Sequence, residues 1–250
     1  MHFVSAVFFY IILILTAGCV SQNSVVKPLV KSLYQVQAAT IYIKPTIYYL
    51  PIYKDTDHKN CDLNSTHEMK TVADQVIVKT CEFVAKSCEM QGTCLISHGK
   101  KTVLVTIDQK DSEGRRRFQE IDPGRCKYGF GASSDGTNSF STMCIDPFYS
   151  VAADLSIYNL GDVIYIPRLK NTKLPNGEKH NGYFIVRDSG QLIKGEGRFD
   201  FYTGYFSANK KNPFVKMGFA SNVEMSEFRM VTGVEAESIR TARRFPFLRK

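Results

Sequence analysis

The feature that most limits the fold of this chain is a series of short β-type runs punctuated by turn signals. Ile41–Leu50 is rich in Ile and Tyr around Pro45, and Gln75–Val84 and Thr102–Ile107 are β-rich. Val163–Ile166 and Tyr183–Val186 are continuous apolar runs, the pattern of strands buried on both faces. Asp122-Pro123-Gly124, Asp135-Gly136, Pro175-Asn176-Gly177 and Asn181-Gly182 separate them, each offering residues that accept turn conformations. Past residue 40, only Glu235–Ala242 has the Ala, Glu and Arg content of a helix. Many short strands with few helices predict a small barrel or sandwich. Residues 108–144 carry charge, Gly and Ser, which predicts a long surface excursion between strands.

The N-terminus points to export. Phe3–Leu15 is almost wholly apolar; about 13 residues is short for a bilayer span and suits a signal-peptide core. Leu15-Thr16-Ala17-Gly18-Cys19 follows and resembles the lipobox of bacterial lipoproteins. The resemblance implies a signal peptide over 1–18, lipidation of Cys19 and a polar tether over 19–39. Val20 after the cysteine implies the outer membrane, facing the periplasm. Ordinary cleavage near Ala17 and an uncleaved anchor are the alternatives. Residues 40–250 are expected to form one folded domain, as a monomer.

Seven cysteines occur in the chain. With Cys19 assigned to lipid, Cys61, Cys81, Cys88, Cys94, Cys126 and Cys144 remain, an even set that an oxidising compartment would pair by any of fifteen connectivities. Cys81, Cys88 and Cys94 lack the tight pair spacing of a zinc site, so neither a metal nor another cofactor is expected. The formal net charge is +8. There is no zinc finger, no basic helix and no aromatic-interleaved basic stretch, which argues against nucleic acid.

Two carboxylates carry the chemistry. Asp188 ends the run Tyr183-Phe184-Ile185-Val186-Arg187, and Asp200 lies in Arg198-Phe199-Asp200-Phe201-Tyr202. An acid at the end of a buried strand is costly unless bonded, paired or used. The glycines of Gly190 and Lys194-Gly195-Glu196-Gly197 allow a tight return that brings both to one rim. Two adjacent carboxylates push their pKa values apart, so that one stays protonated near neutral pH. The alternative is that each only caps a turn.

The wider string, residues 151–204, resembles the three-aspartate domain of membrane-bound lytic transglycosylase A and related wall proteins. Ala152-Ala153-Asp154 with Leu160-Gly161-Asp162, Arg187-Asp188-Ser189-Gly190 with Ile193-Lys194-Gly195, and Phe199-Asp200-Phe201 carry the three aspartates in order. Tyr48-Tyr49-Leu50-Pro51 and Met90-Gln91-Gly92-Thr93 are similar to segments that open the family's barrel and line its glycan groove. The resemblance implies a mainly β fold, a six-stranded double-psi β-barrel with disulfide-stabilised loop insertions. It implies cleavage of the MurNAc–GlcNAc bonds of peptidoglycan glycan strands, with Asp200 as acid and then base, giving 1,6-anhydromuramyl ends. Asp188 would support the acid and Asp154 would hold the fold. Gln91, Gly92, Gly190, Lys194, Arg198 and Tyr202 would bind substrate, Lys194 or Arg198 meeting a carboxylate.

Against that pattern, Gln191 and Leu192 stand where the family has Gly and Ala. The interval between Pro51 and Gln91 is too short for the family's second domain, which predicts a glycan lying on an open surface. A non-catalytic, expansin-like wall-binding or wall-loosening protein is the alternative function.

Overall fold

The computed structural model describes residues 41–54, 61, 66–122, 124, 126–132 and 143–246; the expectations for the signal peptide, the tether and Cys19 lie outside them. The chain opens with β1 (Tyr42–Tyr48) and β2 (Ile52–Tyr53), then a hairpin of β3 (Thr66–Lys70) and β4 (Val76–Cys81). Helix α1 (Glu82–Gln91) follows and leads into a meander of β5 (Thr93–His98), β6 (Lys101–Lys110) and β7 (Arg116–Ile121). The second half holds β8 (Ser150–Ala153), β9 (Val163–Tyr165), β10 (Tyr183–Ser189) and β11 (Arg198–Tyr202). It closes with α2 (Pro213–Lys216), β12 (Ser226–Glu227), β13 (Arg229–Val231) and α3 (Gly233–Ala242).

The larger sheet runs β12-β1-β11-β8-β10-β9-β13. Its central strands are buried on both faces: Val151, Ile164, Phe184, Val186, Phe199 and Phe201 pack with Ile43, Phe214 and Phe219 in one core. The resemblance implied six strands in the barrel, and this sheet has seven. Two short C-terminal strands, β12 on β1 and β13 on β9, occupy the sheet's edges. Covering an edge in this way removes exposed backbone donors and acceptors.

The smaller sheet is β2-β5-β6-β7, with β2 parallel to β5. It shares a second core with α1 and the β3-β4 hairpin, built from Met69, Val84, Cys88, Ile96, Val105 and Phe118. Two expectations fail here. The β-rich reading of Gln75–Val84 holds to Cys81, after which the chain turns into α1. That helix buries Val84, Ala85 and Cys88 on one face, which outweighs the β-branched start of the segment. The excursion predicted for 108–144 also begins too early. Strand β6 continues to Lys110, and β7 adds a strand whose Phe118 and Ile121 are buried.

Leu50, Leu104, Ile121, Ile145 and Tyr202 join the two sheets in a third cluster. The six expected cysteines pair as Cys61–Cys81, Cys88–Cys94 and Cys126–Cys144. The first two serve the smaller sheet, where a small core gains most from a covalent link.

Candidate functional site

The larger sheet sets the two aspartates on either side of one residue. Asp200 on β11 and Asp188 on β10 are both in register with Ala152 of β8, which runs between them. Strand spacing of roughly 5 Å therefore separates each from Ala152. All three residues line a single cavity of about 520 Å³, a size ordinary for a small-ligand cleft. The methyl side chain of Ala152 leaves room for both carboxyl groups above it.

Each acid has its own setting. Asp200 Oδ1 accepts the hydroxyl of Thr46, its partner on β1, at 2.7 Å. Burial raises its pKa, against the opposing pull of that hydrogen bond and of the Arg198 charge. Asp188 accepts the Ser189 N–H at 2.8 Å. Burial pushes its pKa up to about 7, the Ser189 bond and the Tyr48 hydroxyl oppose this, and the Asp200 charge adds to it. Tyr48, at the end of β1, also lines the cavity; its buried hydroxyl faces Asp188 without closing a hydrogen bond of full geometry. The register between β10 and β8 shifts between Val186 and Asp188. Such an irregularity re-aims a side chain, and here Arg187 enters the interior while Asp188 reaches the cavity.

The opposite wall comes from the smaller sheet. Gln91 and Gly92 end α1 and line the cavity with Thr93, Thr106, Ile107 and Arg116. Gly92 sits at φ 81°, a left-handed helix end that favours glycine. Its carbonyl accepts the Ile107 N–H at 2.8 Å and the Thr106 hydroxyl at 3.0 Å. Gln91 Oε1 accepts the Tyr49 N–H at 3.1 Å, tying this wall to the chain just past β1. The Cys88–Cys94 disulfide staples the turn between them. The expected open surface is thus corrected: the groove has a second wall, because residues 93–121, which follow Gln91, add Thr93, Thr106, Ile107 and Arg116 to the end of α1.

The predicted site residues divide into two groups. Asp188, Asp200, Gln91, Gly92 and Gly190 line the cavity together. Lys194, Arg198 and Tyr202 do not. Lys194 turns to Asp154, with Nζ 3.3 Å from Oδ1. Arg198 donates to the Lys44 and Phe199 carbonyls at 3.1 and 2.9 Å. Tyr202 is buried behind the site, donating to the Tyr128 carbonyl at 2.7 Å and packing on the Tyr48 ring. Asp154 is buried outside the cavity. The Gly195 and Ser156 N–H groups, the Ser156 hydroxyl and Lys194 hold its carboxyl well below the usual range. It thereby fixes the turn that leads into β11.

Sequence reasoning missed Thr46, Thr106, Arg116, Phe130 and Gly131. Their only signal is pairing, which appears once the strands are in register. Gly131 illustrates this, since a Cβ there would lie 2.0 Å from the Arg187 carbonyl. His180 belongs to the core, its ring stacked between Tyr149 and Phe184. Its Nε2 lies 2.7 Å from the Phe148 carbonyl, and its Nδ1 accepts the Gly182 N–H at 2.8 Å.

Residues 149–213 match the family model of the 3D domain, so this part of the chain is a 3D domain. Solved structures to which the chain is similar include MltA from E. coli with bound chitohexaose: 15% identity, 76% of this chain and 71% of that chain covered, TM-score 0.48. A membrane-bound lytic murein transglycosylase from Agrobacterium tumefaciens shares 14% identity over 80% of this chain and 77% of that chain, TM-score 0.47. LtgG of Burkholderia pseudomallei shares 14% identity over 74% and 70%, TM-score 0.38. Similarity at this level transfers no residue role. No curated protein matches the chain by sequence.

Proposed function

We propose that this protein is a peptidoglycan lytic transglycosylase in which a single aspartate, Asp200, serves as acid and base. The observation that carries the reading is the pairing of Asp188 and Asp200 over Ala152 in one walled groove, with burial holding both carboxyls toward the protonated form. The 3D domain match over the same residues supports it.

In this mechanism the Asp200 carboxyl gives its proton to the oxygen between MurNAc and GlcNAc, and the C1–O bond breaks. The resulting carboxylate then takes the proton of the muramyl 6-hydroxyl as O6 bonds to C1. The product is a 1,6-anhydro end, the acid is restored, and no water is consumed. Asp188, proton-bearing up to about pH 7, adds no negative charge beside Asp200 and donates a hydrogen bond into the groove. Gln91 and Gly92 hold the strand from the facing wall. The two parallel pairings, β1 with β11 and β8 with β10, are in keeping with a double-psi form of the barrel.

The reading extends to location: a lipid on Cys19 anchors the protein to the outer membrane, and residues 19–39 lift it towards the wall. Digestion of purified sacculi tests the activity. Wild type is expected to release anhydromuropeptides and Asp200→Asn is expected to release none. Equal release by the two proteins removes Asp200 from the mechanism, and wall binding without release by wild type supports the non-catalytic alternative.

A further inference from the structure

Three consecutive arginines, Arg115 to Arg117, lead into strand β7, and the structure gives them different surroundings. Arg115 Nε pairs with Asp111 Oδ2 at 2.7 Å. Arg117 pairs with the same oxygen at 2.9 Å and with Asp74 at 3.0 Å. Arg116 makes no ion pair with any described residue and is half-buried at the wall of the cavity. Among the described charged residues lining that cavity it is the one cation, the others being Glu89, Asp188 and Asp200.

A partly desolvated guanidinium without a carboxylate partner is costly, and it is strongly rewarded by an anion that arrives with a ligand. Neither aspartate of the cavity makes an ion pair with Arg116; Asp200 instead accepts the Thr46 hydroxyl and Asp188 the Ser189 N–H. Lys194 and Arg198, the cations expected from sequence to meet such an anion, are engaged elsewhere. The five donors of arginine suit a carboxylate, which they bind through two parallel bonds.

We propose that Arg116 is the anion-recognising residue of the groove and that it selects glycan strands whose sugars carry a carboxylate. The inference rests on the glycan-cleaving reading above. The carboxylate has two sources with the same chemistry, the lactyl group of a peptide-free muramyl residue or the acids of an attached stem peptide.

The test measures binding, so it requires no turnover. Full-length protein in detergent, carrying Asp200→Asn to prevent cleavage, is compared with the same protein bearing Arg116→Gln or Arg116→Lys. Four ligands are titrated: peptide-free muramyl strands, the same strands with carboxyls amidated, peptide-bearing strands, and a neutral GlcNAc hexamer. Arg116→Gln is expected to weaken carboxylate-bearing strands by roughly tenfold or more. Amidated and neutral strands are expected to change by less than about twofold. Arg116→Lys is expected to recover part of the loss, and high salt to narrow the difference.

Loss on peptide-free strands assigns the lactyl group; loss only on peptide-bearing strands assigns the stem peptide. Equal loss on charged and neutral strands, or no loss on either, overturns the proposal and leaves the transglycosylase reading standing. Anhydro-end release by Asp200→Asn removes Asp200 from the reaction and leaves the Arg116 comparison intact. If no strand binds, both readings fail.

Discussion

Asp188→Asn should make the protein more stable, and only above acidic pH. The folded carboxyl titrates at about 7 against an ordinary value of 3.8. Between those values the folded state holds a proton that the unfolded state has released. More protons bound in the folded state means that stability falls as pH rises through that window and is level on either side. About three pH units at about 1.4 kcal/mol each gives a cost of about 4 kcal/mol at pH 8, smaller to the extent that cavity water solvates the carboxylate. Asparagine keeps the acceptor for the Ser189 N–H and has no proton to lose. Urea unfolding with the disulfides intact, at pH 4, 6 and 8, reads the difference directly. Near pH 4 the variant and wild type should differ little, and by pH 8 the variant should lead by up to about 4 kcal/mol. A difference of the same size at pH 4 and pH 8, or a less stable variant at pH 8, would falsify the claim that burial at this site holds the proton. Asp200 is raised in the same direction by burial, so Asp200→Asn should show the same sign.

Asp154→Ala should lower the melting temperature at pH 7. Its carboxyl is held below the usual range, so its contribution is present above the ordinary carboxylate pKa and is lost as pH falls; thermal melts from pH 7 downward should show the gap narrowing, and a constant gap would assign the loss to packing. Replacing Cys88 and Cys94 together with Ser should cost about 2 kcal/mol for so short a loop and weaken glycan binding through the Gln91 wall. Chemical denaturation and a glycan titration check both effects, and unchanged binding would separate the staple from the groove.

How legible the fold was depended on what each signal encodes. The buried runs Val163–Ile166 and Tyr183–Val186 became β9 and β10 because an apolar run of that length leaves few options. The smaller sheet was legible only at Thr102–Ile107, which became part of β6, because its other strands are mixed in character. Arg116-Arg117-Phe118-Gln119-Glu120-Ile121 reads as a charged loop, yet Asp111 and Asp74 neutralise Arg117, and Phe118 and Ile121 face inward. Helix α1 followed a β-branched run, and Gly92 rather than any helix-favouring stretch marks its end. Gln91 and Gly92 were found by resemblance and Asp188 and Asp200 by their place in the strand pattern. Arg116 was not found, because which of three arginines faces the groove is decided by alternation along a strand whose register the sequence does not state.

The dipeptide Arg187-Asp188 shows why register decides the chemistry as well as the fold. Read along the chain, it is a cation beside an anion, and such a pair would hold the aspartate ionised. In the sheet the irregularity between Val186 and Asp188 sends the two side chains to different surroundings. Arg187 is fully buried, and it donates to the carbonyls of Cys144, Arg243 and Pro246 at 3.0, 2.9 and 3.1 Å. Those bonds draw the Cys126–Cys144 loop and the segment after α3 onto β10. Burial lowers the Arg187 pKa to about 10, so it stays charged at every pH at which the protein would work. That charge is met by backbone carbonyls and by the nearby Asp146, and it is absent from the influences on Asp188. The residue that ties the Asp188 strand to its neighbours is therefore a cation whose charge is met elsewhere, and burial is left to raise the Asp188 pKa.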